Sequence, residues 1–529
     1  MELSVSIGLW AAAVLPILFL FLAITLWGWS THKAAMAGVI LAGGIGIWFY
    51  KLAVPGLLSE CGKGVWNALS ILLVIWPAIF IYEVTEQAGG FRAIRQGIQR
   101  LTRHELLQIV IMGWIFPDFL QGITGFGVAV AVGAPLLVSI GVRPLWSIVM
   151  VLLSYSWGAT FGTLALSWEA LLVQAELTGE AAGAAAFLAA GLIGCYIVVM
   201  AFCLFWFYGK WKAVKAGLPL GAVLVLILAG GQLLLAPISP SIACFLPSAA
   251  ALAAAVLMTR LPCFRKPWRM EDSPVMDRRE QEEGMEAMSF HQGFFPYYVL
   301  TAITVFCLLV PPVNRFLGQF RIGFSFPEVC TGMGYVTPEE PFYSPMSPLI
   351  YAGTILAEAC LISALYYRAK GRIRKGDLSQ IWRRTVKKSL PSTAAILGFA
   401  VMARIMSSSG QIQVLSYGIV QVLGSSYVAA APLFGIIGTF ITSSNMSSNI
   451  LFGKFQMSAA EFLQISPAVT LALQTAGGAV GAAMAPGSMI LGMSTTGIKG
   501  VESSILKKVM PISIGSGIAF GIAAWLFLI

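Results

Sequence analysis

Two polar interruptions of apolar sequence decide how this chain is read: Asp118-Phe-Leu-Gln-Gly-Ile-Thr-Gly-Phe-Gly127 and Thr442-Ser-Ser-Asn-Met-Ser-Ser-Asn449. They end two stretches, 81–127 and 402–448, that run in parallel at a constant offset of 321. Gly89 falls on Gly410, Gly97 on Gly418, Ile98 on Ile419 and Phe119 on Phe440. Charge gives these sparse identities weight. The first copy carries Arg92, Arg95, Arg100 and Arg103, whereas Gln411 to Tyr427 in the second carries no charge. Basic loops stay in the cytoplasm, so the first loop is expected inside and the second outside. The two copies are then inverted, and inverted repeats broken at matching places point to a secondary transporter with its site near the midplane.

Composition agrees. Of 529 residues, 58% are hydrophobic and 11% charged, and mean hydropathy is +0.84. A soluble domain has about 25% charged residues, so many membrane spans are expected. The net charge of +10 comes from short basic loops, with no basic-aromatic groove to suit nucleic acid. Eight cysteines without a CxxC pair imply neither a zinc site nor a disulfide framework. His32, His104 and His291 all fall at expected cytoplasmic edges, so no histidine-based metal or proton-relay core is expected. No cofactor is implied.

About 20 apolar residues cross a bilayer as helix. The expected spans are 8–27, 34–53, 65–84, 145–172, 182–208, 217–237, 240–259, 293–311, 347–367, 389–409, 466–493 and 509–528. The fold class is thus an all-α polytopic membrane protein of about twelve transmembrane helices plus two re-entrant hairpins, at 106–142 and 427–464. Two ordinary spans in each hairpin stretch would leave sidedness unchanged. Residues 1–259 form the first half, with broken helix 145–172. Residues 293–529 form the second, with broken helix 466–493, and 260–292 is a solvated cytoplasmic linker of mixed charge. Every strongly basic loop (Arg92–Arg103, Lys210–Lys215, 260–292, Arg368–Lys388, Lys499–Lys508) then falls on one side, and both termini lie outside.

Irregular backbone at membrane depth must face protein or a water-filled cavity. Ser443, Ser444, Asn445, Ser447, Ser448 and Asn449 offer hydroxyl and amide groups there, and half-helix N-termini add positive potential toward an anion. Thr124 with Gly122, Gly125 and Gly127 is expected to act likewise from the first tip, and Thr124 aligns with Asn445. Ordinary small-residue helix packing is the competing reading, and weighs evenly for Gly477, Gly478 and Gly481. Ionisable groups inside a membrane are functional candidates by default. Arg404, aligned with Glu83, either holds a substrate carboxylate bidentately, snorkels outward near its helix end, or pairs with Glu358. Asp118 and Glu358 are the acids placed to take a coupling proton, Asp118 first, although a cap on broken backbone suits Asp118 too.

The sequence also resembles the bacterial lactate permease family. Gly89-Gly-Phe-Arg-Ala-Ile94, Gln121-Gly-Ile-Thr-Gly-Phe-Gly127, Ala134-Pro-Leu-Leu137 and Gly141-Val-Arg-Pro-Leu145 carry the likeness in the first half. In the second, Phe440-Ile-Thr-Ser-Ser-Asn-Met-Ser-Ser-Asn-Ile-Leu-Phe452, Gln474-Thr-Ala-Gly-Gly478 and Met484-Ala-Pro486 carry it. The resemblance covers most of the chain. It implies an elevator-type permease of the bacterial inner membrane, importing a monocarboxylate such as L-lactate or glycolate by proton symport. It also implies binding by Gln121 and the hairpin residues above. Two departures stand out: the family usually has Glu at the position of Gln121 and Asp in the motif around Asn445, and both are amides here. A sodium- or proton-coupled carrier of another small organic anion, such as a sulfonate, is the alternative. An enzyme is disfavoured by the lack of GxSxG and HExxH, an ATP-driven pump by the lack of GxxxxGK[ST], and a channel by the two-fold internal repeat.

Overall fold

Two helices of 34 residues, Val54–Gln87 and Lys375–Ser408, run side by side, and their ends coincide at the offset of 321. Their closeness is written in the sequence. Gly64 has no side chain, and a Cβ there would stand 2.6 Å from the Val401 backbone. Each long helix ends at a glycine in the left-handed region, Gly89 at φ 81° and Gly410 at φ 88°. Glycine reaches that region without a Cβ clash. Each then gives way to a shorter helix, Gly90–Leu101 or Gln411–Leu423. The repeat is therefore matched in backbone, residue for residue, through this part. The computed structural model describes residues 6–125, 127–277 and 288–527.

Among these residues nine helices are long and apolar enough to cross a membrane, or eleven if each of two bent pairs is one span. The spans expected at 34–53 and 347–367 are the 18-residue helices Thr31–Trp48 and Ala352–Ala369. His32 and Lys33 in one, and Glu358 in the other, dilute their apolar character. The spans expected at 182–208 and 217–237 belong to the run Gly179–Val225, which turns sharply at Gly209 and Lys210. Lys212 and Lys215 are therefore helical rather than in a loop.

Both polar interruptions sit at the tips of antiparallel helical hairpins. In the first, helices from Glu105 to Ile123 pack against Val128–Val138, with Gly113 beside Leu137 and Gly133 beside Pro117. Pro117 has no N–H to give the carbonyl of Gly113. A π-turn at Ile111–Ile115 precedes it, and the Ser154 hydroxyl takes over that carbonyl at 2.7 Å. In the second hairpin, Tyr427–Thr442 lies against Asn445–Leu463, held by Tyr427 to Gln456 (2.7 Å) and by the Ser448 hydroxyl to the Gly435 carbonyl (3.0 Å).

Each hairpin is followed by a broken helix. The first runs Pro144–Ser156, turns through Trp157–Ala159 and resumes as Gly162–Ala175 at a 52° bend. Thr163, Leu164 and Ala165 all have positive φ, a left-handed run costly for side-chain-bearing residues. The second runs Pro467–Gly481, turns at Ala482–Met484 and resumes at Pro486, with Ala485 extended as a residue before proline must be. The breaks expected within 145–172 and 466–493 are thus present.

Two parts depart from expectation. The segment 312–346, which joins two expected spans, contains two short antiparallel pairs, Ile322–Phe326 with Glu340–Met346 and Val329–Cys330 with Val336–Thr337. The fold is otherwise helical. This excursion lies on the first long helix through Trp66 Nε1 to the Ser344 carbonyl (3.1 Å) and Asn67 to the Tyr343 hydroxyl (2.7 Å). The linker also docks rather than floats. Backbone N–H groups of Glu105 and Arg143 donate to the carbonyls of Trp268 and Val275, at 2.9 and 2.8 Å. Its acidic part, Glu280 to Glu286, lies outside the described residues.

Candidate functional site: a cavity at the second hairpin tip

The second hairpin tip is built so that helix ends meet open space. Ser443 takes φ 58°, which ends one helix abruptly. Ser444 then caps the next: its hydroxyl accepts the Ser447 N–H at 3.3 Å. Serine is favoured there because its oxygen satisfies an N–H that the first turn leaves orphaned. The Ser443 hydroxyl reaches across to accept the Gly487 N–H at 3.1 Å, in the first turn of Pro486–Thr496. Two helix N-termini therefore converge, each carrying partial positive charge.

They converge on a cavity of about 850 Å³. Gln121 and Thr163 face it from the first repeat, and Ser443, Ser444, Asn445 and Ser447 from the second. Gly487 and Ser488 complete that side, and Ser30, His32, Pro391 and Ser392 stand at the mouth. Among the described residues no Lys, Arg, Asp or Glu lines it. Any attraction for an anion comes from helix ends, hydroxyls and amides.

Behind the tip the two broken helices are stitched together. The hydroxyls of Thr160 and Thr475 lie 3.0 Å apart. Asn445 Nδ2 donates to Thr160 Oγ1 (3.2 Å) and to the Thr475 carbonyl (3.4 Å). Asn449 Nδ2 donates to Thr475 Oγ1 (3.0 Å) and to the Ser167 carbonyl (2.9 Å). The Oδ1 atoms of both asparagines are buried without a hydrogen-bond partner. Tyr155 joins the halves again, donating within reach of the Ala482 carbonyl (2.9 Å) and Ser488 (2.8 Å).

Of the residues expected at the site, Gln121, Ser443, Ser444, Asn445 and Ser447 line the cavity. The others do not. Ser448 and Asn449 lie one turn behind, bonded within the hairpin and to the broken helices. Thr124 turns its hydroxyl back to the Leu120 carbonyl at 2.8 Å, the i−4 bond that threonine makes readily inside a helix. Gly122 lies against the Phe245 backbone and Gly125 against the Thr163 hydroxyl, so both are packing positions. Gly477 abuts the Pro432 carbonyl, and Gly478 leaves the space that the Asn445 side chain fills.

Arg404 is away from the cavity. Its guanidinium meets Glu60 Oε2 at 2.8 Å and Glu176 Oε1 at 2.8 Å, and lies over the Tyr343 ring. The expected pairing with Glu358 is absent, and Glu358 is exposed on Ala352–Ala369, outside the cavity. Glu83, its repeat counterpart, pairs with Lys388 instead. Asp118 is fully buried behind Gln121. Its Oδ2 accepts the Trp157 indole N–H at 2.6 Å, and Oδ1 has no partner. Among the described residues no cation pairs with it.

The sequence reading missed His32, Tyr155, Thr160, Thr163 and Thr475. Tyr155 and Thr160 stood in the interrupted run 154–162, and Thr475 stood in the Gln474–Gly478 motif, so polar groups at breaks were the available signal. His32, whose ring lies 3.3 Å from the Ser30 hydroxyl, carried none.

This is the build of a multi-pass membrane permease, with broken helices and a polar pocket between two repeats. The chain belongs to the L-lactate permease family, whose model matches residues 10–529. It is 27% identical over 524 residues to an L-lactate permease of Escherichia coli strain K12, covering 94% of this chain and 91% of that protein. It is 26% identical over 528 residues to the glycolate permease GlcA of the same strain, with 94% and 91% covered. A third, at 25% over 525 residues, is an L-lactate permease of Halalkalibacterium halodurans, with 98% and 96% covered.

Proposed function

We propose that this permease imports a small organic monocarboxylate, L-lactate or glycolate, together with a proton across a bacterial inner membrane. The observation that carries this reading is the cavity itself: two helix N-termini and a ring of serine and asparagine groups, with no fixed charge. Such a site suits one carboxylate, held by backbone N–H groups and hydroxyls without a cation that would trap it. A dicarboxylate would bring a second charge that, among the described lining residues, no Lys or Arg meets. The relatives named as L-lactate and glycolate permeases support the same class.

Ser30, His32, Pro391 and Ser392 line the cavity and lie close in sequence to Lys33 and to the basic run Lys375–Lys388, which supports a cavity facing the cytoplasm, with both termini outside in the same reading. Asp118 is our proton carrier. A buried carboxyl with no cation beside it responds to its surroundings by taking up or releasing a proton, and Asp118 stands one turn behind Gln121 at the cavity wall. Elevator-type movement of the hairpins and broken helices against the long helices belongs to the same proposal. The unpartnered Oδ1 atoms of Asn445 and Asn449 favour a second reading, sodium coupling, because carbonyl oxygens are sodium's natural ligands.

Purified protein in liposomes separates these. Uptake of labelled L-lactate or glycolate should follow an inward proton gradient and ignore sodium. Uptake driven by sodium alone would transfer the coupling to the two asparagines. If neither acid moves under either gradient, the substrate class is wrong.

A further inference from the structure

On the side opposite the mouth, six charged groups meet in two sets. Glu60, Lys63 and Arg404 belong to the long helices, with Glu340 of the outer excursion beside them: Lys63 Nζ is 3.1 Å from both Glu60 and Glu340. Glu60, Lys63 and Arg404 are almost wholly buried. Glu176 and Lys454 form the other set, 2.9 Å apart. Glu176 ends helix Gly162–Ala175, and Lys454 lies on the returning arm of the second hairpin. Those two elements are tied to each other by Asn449 to the Ser167 carbonyl, and Gly453 lies against Leu171. They form one body with the cavity wall. The ion pair joining the two sets is Arg404 Nη1 to Glu176 Oε1, at 2.8 Å.

The backbone of Glu176 is unusual. It has φ 56°, where glycine would rest without strain, yet a glutamate stands there. The side chain offsets that cost only if the carboxylate has work to do. Its position also solves an energetic problem. If the two bodies part at this face, Arg404 keeps Glu60 and Glu176 keeps Lys454. Neither charge is orphaned, so the penalty for stranding a buried ion does not arise. Glu176 is 43% exposed, so water reaches the joint.

We propose that Glu176 and Arg404 form a reversible latch that closes the outer face while the cavity is open to the cytoplasm, with Lys454 and Glu60 as their resting partners when it opens. The proposal rests on the inward-open reading above. Asn445, Gln121 and the helix ends hold the substrate, and the latch sets which side it meets.

The test is the labelling rate of a thiol at the tip, Ser443→Cys, with exposed Cys195 and Cys330 replaced by serine. A membrane-impermeant reagent is applied to intact cells and to inside-out vesicles. The parent should label readily in vesicles and slowly in cells. Glu176→Gln, or Glu176→Gly should the first fail to reach the membrane, should speed labelling in cells about tenfold, the scale of one charged hydrogen bond. Lys454→Met should do the reverse, by a few-fold, because Glu176 then has no resting partner in the open state. A merely structural cluster would respond to both changes in one direction. Unchanged rates with Glu176 substituted, or both variants shifting alike, overturn the latch. A parent labelled fast in cells and slowly in vesicles overturns instead the inward-open reading, and the latch's outer placement with it.

Discussion

The two hairpin tips come from one repeated backbone and do different things. The second ends in a left-handed serine, a serine cap and side chains that face open space. The first ends in Thr124 and glycines at 125 and 127, and offers no hydroxyl: the threonine bonds its own helix, and Gly125 packs against Thr163. From that tip Gln121, a turn earlier, brings the one polar side chain to the cavity, and Gly127 lines it with backbone alone. Inverted repetition has kept the helix ends and the breaks, while the chemistry has concentrated on one copy. An aligned pair such as Thr124 and Asn445 therefore shares a place in the fold and not a role.

The largest effect that can break this contrast is expected at Asn445. Asn445→Ala removes two hydrogen bonds at the crossing of the broken helices and a polar group at the cavity wall. Uptake should fall about a hundredfold with normal membrane insertion, by the cost of buried polar groups left unpaired. Near-normal uptake would mean that the second tip only packs. Asp118→Asn comes next. Concentrative uptake driven by a pH gradient should be lost, while exchange of internal for external substrate continues, since exchange needs no net proton transfer. Uphill, proton-driven uptake surviving in this variant would remove Asp118 as the carrier. Thr124→Val should do least. It loses one bond to its own helix, so uptake should stay within about twofold of the parent. A loss as large as that of Asn445→Ala would restore the symmetry of the tips.

Much of the fold was legible because its determinants are local or repeated. The offset of 321 aligned Gly89 with Gly410, and a left-handed turn calls for glycine wherever it recurs. The spans expected at 65–84 and 389–409 are the apolar parts of the two long helices. Their polar starts, including the Lys375–Lys388 run expected as loop, were not legible as helix. The breaks at 157–161 and 482–485 were visible as glycine, proline and small polar residues inside apolar runs. The partners of Arg404 were not legible. Glu60 and Glu176 lie far off in sequence, and charge alone offered Glu358 with equal plausibility. The excursion of paired strands was hidden for a related reason: its strands are short and pair across a loop, with no long alternating pattern to mark them. At the site, residue type indicated which groups were able to bind, but not which way each turned. Thr124 has the chemistry of a ligand and spends it on the Leu120 carbonyl, a choice made by a side-chain rotamer.

Equilibrium binding of L-lactate to purified protein distinguishes the two tips most directly. Ligand that binds the folded state raises the melting temperature by mass action, so a concentration series of the acid reads the affinity of each variant. The parent and Thr124→Val should be stabilised alike, and Asn445→Ala should show no stabilisation up to concentrations about a hundredfold higher. Equal stabilisation of Asn445→Ala and parent, with loss in Thr124→Val, would contradict the placement of the site at the second tip.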